Sequence, residues 1–151
     1  MSFSFFIRTQ FTFYTQDRTL SCILSGISGA HVNITGFVQS KKSNRLNLVR
    51  LVAGSADVES ANDLRIVRKV LASSGVKLHE AKVCQIRKIT PGVPGALKAI
   101  FGALWCKVKV IAMYAGESNR IFVYVSDLNK AIRTLSQINV HQYKKKCRRS
   151  G

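Results

Sequence analysis

The chain has 151 residues, of which 46% are hydrophobic and 21% charged, so a disordered chain is excluded. A chain this long buries about two-thirds of its unfolded surface, enough for one ordinary core or two small ones without staples. Lys and Arg number 24 against 7 Asp and Glu, a net charge of +17 that draws polyanions without choosing among them. The longest apolar run, residues 99–106, falls far short of the roughly 20 residues of a membrane span, which excludes a transmembrane chain.

The N-terminal residues 1–8 lack the basic start and long apolar middle of a secretory signal. Asp17 is the one acid among the first 56 residues, so an organelle transit segment stays open. Phe11, Phe13 and Tyr14 already lie in a strand-like run, and the fold is expected to start there. Leu20, Ile23, Leu24 and Ile27 then follow the i, i+3, i+4, i+7 rule of an amphipathic helix. Leu64, Val67, Arg68 and Leu71 keep that spacing, as do Leu97, Ile100, Phe101 and Leu104, and Leu128, Ala131, Ile132 and Leu135. Strands are expected over residues 10–15, 32–39, 46–52, 77–89, 108–114 and 121–126. Polar turns at 41–45 and 116–119 join hairpins.

The order is strand, helix, strand, strand, helix, strand, then the same again. Residues repeat as well as pattern: the stripe at Leu20 maps onto that at Leu97, and Val32–Ile34 onto Val108–Val110. The spacing between copies then shortens, which places an insertion in the first copy near residues 53–62. Asp57, Glu59 and Asp63 lie there and suit the start of a longer helix, where negative charge meets the dipole. The expected fold class is α+β: two ferredoxin-like βαββαβ units in tandem, antiparallel sheets with helices on one face. The units are expected over residues 8–82 and 83–143, with a basic tail at 144–151. The run at 76–89 is long enough to end one unit and start the next, with a bend near 80–84.

Cys22, Cys84, Cys106 and Cys147 show no metal-knuckle spacing. Cys22 and Cys106 fall in apolar stretches and read as small core residues, and a reduced, cytoplasmic setting without disulfides is expected. His31, His79 and His141 have no nucleophile motif beside them. His79 and Glu80 point to opposite faces of a strand. Neither a phosphate loop nor a dinucleotide fingerprint is present. A non-catalytic protein without metal or cofactor is expected.

The run Thr90-Pro91-Gly92-Val93-Pro94-Gly95-Ala96-Leu97 resembles the strand-to-helix loop of ACT domains, although the acid of that signature is missing. Thr15 to Leu20 matches the same loop in the first copy, without Pro-Gly. Gly29 to Ile34 resembles the family's turn into its second strand, and Ser126 to Ile132 its second helix start. The sequence is therefore similar to a tandem ACT-domain protein over residues 8–143. The resemblance implies a regulatory protein, a homodimer, that binds a small amino acid or related carboxylate where these loops meet a neighbouring unit. It carries the ligand role to Gln16, Asp17, Arg18, Thr19 and Asn33 in the first copy, and to Gly92, Val93, Pro94 and Gly95 in the second. Lys109 stands where the second copy would need its Asn.

Physical reasons support such loops: a helix start offers free N–H groups and a positive dipole end, and Gly permits close backbone approach. Each residue also has a plainer reading. Asp17 or Thr19 only caps a helix, Arg18 is a solvated charge, the Pro-Gly loop is a tight connection, His31 is a turn residue, and Phe101 to Trp105 are core.

The alternative is a nucleic-acid or ribonucleoprotein binder. Its candidates are Arg120, Phe122 and Tyr124 on a strand, and the tail residues Lys144, Lys145, Lys146, Arg148 and Arg149. A third reading is an assembly subunit whose sheet edges and basic hairpin at 39–45 meet an acidic partner.

Overall fold

The computed structural model describes residues 3–137 and 139–148. The elements run β1 (Ser4–Thr15), α1 (Asp17–Gly29), β2 (Ile34–Lys41), β3 (Asn47–Ala53), α2 (Ala61–Ser73), β4 (His79–Arg87), α3 (Ala96–Leu104), β5 (Val110–Ala115), a short 3-10 turn (Glu117–Asn119), β6 (Ile121–Val125) and α4 (Leu128–Leu135). The chain divides into two compact units. One holds residues 8–82 with 116–118. The other holds residues 83–115, 119 onward and the start of β1 up to Ile7. The fold is α+β, with four helices and antiparallel strand pairing as expected.

In the first unit the strand order is β2-β3-β1-β4. Phe11 pairs with Leu51 and Phe13 with Val49, so these four side chains share one sheet face. Leu20, Ile23 and Ile27 of α1 and Leu64, Val67 and Leu71 of α2 join them in one cluster, which puts both helices on that face. Gly26 lets the helices approach: a Cβ there would stand 3.2 Å from Val70 Cγ1.

The loop between β3 and α2 is wrapped around Arg8, whose side chain is 2% exposed. Its Nη1 donates to Ser55 O and its Nη2 to Ala53 O and Val58 O. Glu59 accepts from the Thr9 N–H at 2.6 Å. The inserted acids therefore do not lengthen a helix. Ser60 caps α2 by accepting from Asp63 N, so only Asp63 lies in its first turn, while Glu59 faces Arg8 and Thr9.

The second unit repeats the plan with strand order β1-β4-β6-β5. Cys84 and Ile86 of β4, Ile121, Val123 and Val125 of β6, and the buried faces of α3 and α4 form its core. Both second strands carry an irregularity at matching places, between Ile34 and Gly36 and between Val110 and Ala112. A bulge kept at one position in both copies marks them as the same unit.

Three expectations change. The second unit does not close with a strand after α4 among the described residues; the start of β1 takes that place, with Phe3 and Phe5 packed on its core. Regular structure begins at Ser4 rather than near Phe11. In α3 the buried face is Ile100, Ala103 and Leu104, while Leu97 and Phe101 are 56% and 46% exposed. No described helix is long and apolar enough to cross a membrane.

Candidate functional site

Strand β1 ends at Thr15 and α1 starts at Asp17, so the first predicted loop is a single extended residue, Gln16. Gln16 sits at the N-cap with φ −81° and ψ 162°, and its side chain does not cap. Asp17 does not cap either. Its carboxylate accepts from Lys41 Nζ and from Asn47 Nδ2. The Lys41 hydrogen bond, followed by that of Asn47, holds the Asp17 carboxyl below the usual carboxylate range. Asn47 is fully buried, donates also to Thr15 O, and so pins the loop to the β2–β3 hairpin. Arg18 is exposed and Thr19 half-buried.

Asn33 does not join this group. Thr15 pairs with Asn47 at one end of β3, whereas Ile34 pairs with Ala53 at the other. At about 3.3 Å per residue, β3 holds the two ends about 20 Å apart. Asn33 Nδ2 donates to Gly54 O at 3.0 Å and to Glu117 Oε1 at 2.6 Å. His31, at φ 60°, closes the turn after α1 with its N–H on Ser28 O.

The second loop keeps its four candidates together and open. Gly92, Val93, Pro94 and Gly95 are all exposed. Gly92 has φ 77° and Gly95 φ 106°, backbone that other residues adopt with strain, and a Cβ at either would meet nothing within 4 Å. Gly95 is the N-cap of α3 and has no side chain to offer its N–H groups.

A pattern across the four helices follows. The helices that start from the predicted ligand loops, α1 and α3, have no side-chain cap. The two that do not, α2 and α4, are capped by Ser60 and Asp127. Each cap satisfies one first-turn N–H, that of Asp63 or Lys130, and α1 and α3 receive none from their N-cap side chains.

The nucleic-acid candidates are less well placed. Phe122 is fully buried and stacks on Tyr114 at 5.3 Å, so its faces are closed to a base. Arg120 and Tyr124 are half-buried. Lys144, Lys145, Lys146 and Arg148 are exposed, and Arg149 lies outside the described residues.

That tail is not a free arm. Cys147 forms a disulfide with Cys106, which follows α3, with Cα atoms 5.2 Å apart. Cys22 is exposed and Cys84 buried, so the core role expected for Cys22 and Cys106 and the absence of disulfides are both corrected. Tyr143 N donates to Gly102 O, Trp105 Nε1 to Tyr143 O, and Gln142 Nε2 to Ala99 O. The segment 139–147 thus forms a strap along α3. A cavity of about 560 Å³ opens between them, lined by Phe101, Trp105, Tyr143, Gln142, Lys98 and Lys144 among others. A second, of about 290 Å³, is lined by strap residues including His141, Lys145, Lys146 and Arg148. Neither is lined by the ACT-like loops. The one sequence signal for this feature is that α3 has more apolar residues than one buried face holds. Leu97, Phe101 and Trp105 remain after Ile100, Ala103 and Leu104 are spent on the core.

Comparison with solved structures places the fold. A protein from Bacteroides thetaiotaomicron superposes with a TM-score of 0.66 at 18% identity, over 85% of this chain and 86% of its own. The ligand-free regulatory subunit of aspartate kinase from Thermus thermophilus superposes at 0.58 with 12% identity, over 88% of this chain and 93% of its own. That from Thermus flavus does so at 0.53 with 14% identity, over 88% and 94%. No protein-family profile matches the chain, and no curated protein matches it in sequence. Two ferredoxin-like units with these neighbours define the fold class: a tandem of small α+β modules. The chain has the tandem ACT-domain fold.

Proposed function

We propose that the chain is a non-catalytic regulatory protein that binds a small amino acid or related carboxylate at the helix-start loops. The observation that carries this is the capping pattern: the uncapped helices are the two that follow the ACT-like loops. A carboxylate at α3 would accept from the N–H groups after Gly95, and one at α1 would also meet the exposed Arg18. Asp17, already bound to Lys41, would receive the α-amino group by exchange. Asn33 is left out of this site because of its position at the far end of β3. A homodimer is the assembly proposed, and the cytoplasm the compartment. In a reducing compartment Cys106–Cys147 would persist only as a redox-responsive bond.

Thermal unfolding in the presence of each common amino acid tests the proposal. A ligand at 100 times its dissociation constant stabilises by about 2.7 kcal/mol, several degrees in a chain of this size. Arg18→Ala should shrink the response if the first loop binds, and Gly95→Ala if the second does. No response to any amino acid or small organic acid would reject the proposal.

A further inference from the structure

Both cavities described above belong to the second unit and share Gln142, Tyr143 and Lys144, so they adjoin along one strap. Their chemistry differs. The larger is walled by three aromatic side chains, Phe101, Trp105 and Tyr143, with Lys98 at its lining. The smaller is lined by Lys144, Lys145, Lys146 and Arg148, four cations with no acid among its lining residues. Phe101 is 46% exposed, an unusual position for a large apolar ring on a helix whose other face is core.

We propose that the two cavities form one binding site for a nucleoside diphosphate. The base would stack on the exposed Phe101 and the half-buried Trp105, with the buried Tyr143 among the lining, and the diphosphate would lie against Lys144, Lys145, Lys146 and Arg148. The larger volume, about 560 Å³, is in the range of single small-molecule sites, which favours a mononucleotide over a strand. The site is separate from the ACT-like loops. It also gives part of the +17 charge a use that an amino-acid sensor does not.

The strap is the wall of both cavities, and Gly102 O accepts from its Tyr143 N–H. A Cβ at Gly102 would stand 2.4 Å from Gln142 Oε1, the end of a flexible side chain, and 3.7 Å from Tyr143 O, so Gly102→Ala displaces the Gln142 amide and leaves the strap backbone in place. Cys147→Ser releases its covalent end.

Trp105 is the single tryptophan of the chain, so its fluorescence reports the larger cavity directly. The oxidised protein should be titrated with ADP, adenosine, pyrophosphate and a short oligoribonucleotide. ADP should change Trp105 emission saturably. Adenosine should do so more weakly, and pyrophosphate should compete with ADP. Lys145→Glu with Lys146→Glu, both exposed positions, should weaken ADP binding about tenfold or more, and added salt should weaken it further. Cys147→Ser, which frees the strap, should weaken ADP and adenosine alike. No saturable response to millimolar ADP would overturn the proposal. So would equal affinity for ADP and adenosine with no effect of charge reversal. Binding of the oligoribonucleotide more than about tenfold tighter than ADP would replace the mononucleotide with a strand.

Discussion

Treating the native protein with a dithiol should open Cys106–Cys147 and free residues 139–147 from α3. Each sulfur gains a proton and an electron as the dithiol cyclises to its own disulfide. The bond closes a loop of sequence separation 41, for which the loop-entropy relation gives about 4 kcal/mol. At about 2–4 °C per kcal/mol, the melting temperature should fall by roughly ten degrees. Thiol counting gives a sharper check. In the folded, unreduced protein only Cys22 should alkylate, because Cys84 is buried and its thiol is pushed up to about 12 by desolvation. Unfolding without reductant should release a second thiol, and unfolding with reductant all four. Four reactive thiols in unreduced, unfolded protein would remove the disulfide. An unchanged melting temperature on reduction would show that the strap is held by its hydrogen bonds alone.

The disulfide also shows where the sequence stops being legible. Helix periodicity marked all four helices, because each needs one apolar face and short spacings record it. β-rich runs mark five strands to within a few residues and miss the first six residues of β1, and the copy-to-copy match at Val32–Ile34 and Val108–Val110 ends in the shared bulge. These are local signals. The pairing of Cys106 with Cys147 is set by how the strap returns to α3, and nothing near either residue encodes that path. Spacing alone puts Leu97 and Phe101 in the core, but α3 has more apolar residues than one face can bury. Pro and Gly punctuate the second ACT-like loop, which the structure keeps open at Gly92–Gly95, whereas the first, Thr15 to Leu20, has neither and shortens to Gln16. The family resemblance groups Asn33 with Gln16–Thr19, and only the β3 register separates them.

Arg8→Ala should unfold the first unit more readily than any surface substitution, by about 3–5 kcal/mol. The guanidinium takes the place of water for carbonyls of the loop between β3 and α2. It donates to Ala53 O at 2.9 Å, Ser55 O at 3.0 Å and Val58 O at 3.3 Å, and Glu59 lies 3.7 Å from its Nε. Removing it leaves those carbonyls without their donors and Glu59 without its counter-charge, each a desolvation loss. Arg8→Lys should recover little, because one ammonium cannot reach carbonyls spread around a planar fork. Glu59→Gln should cost less, about 1–2 kcal/mol, since an amide oxygen still accepts from the Thr9 N–H. Gly54→Ala should approach the Arg8→Ala loss. Gly54 has φ 110°, and a Cβ there would stand 2.6 Å from Val58 O and 3.0 Å from Arg8 Nη2. Urea unfolding with an unchanged m-value measures all four. Within-error stability of Arg8→Lys would mean that charge alone, not the fork, holds the loop. Because Gly54 also presents the carbonyl that binds Asn33 Nδ2, the Arg8→Ala change should loosen Asn33 as well. Faster amide exchange from residue 33 through 54 would report that.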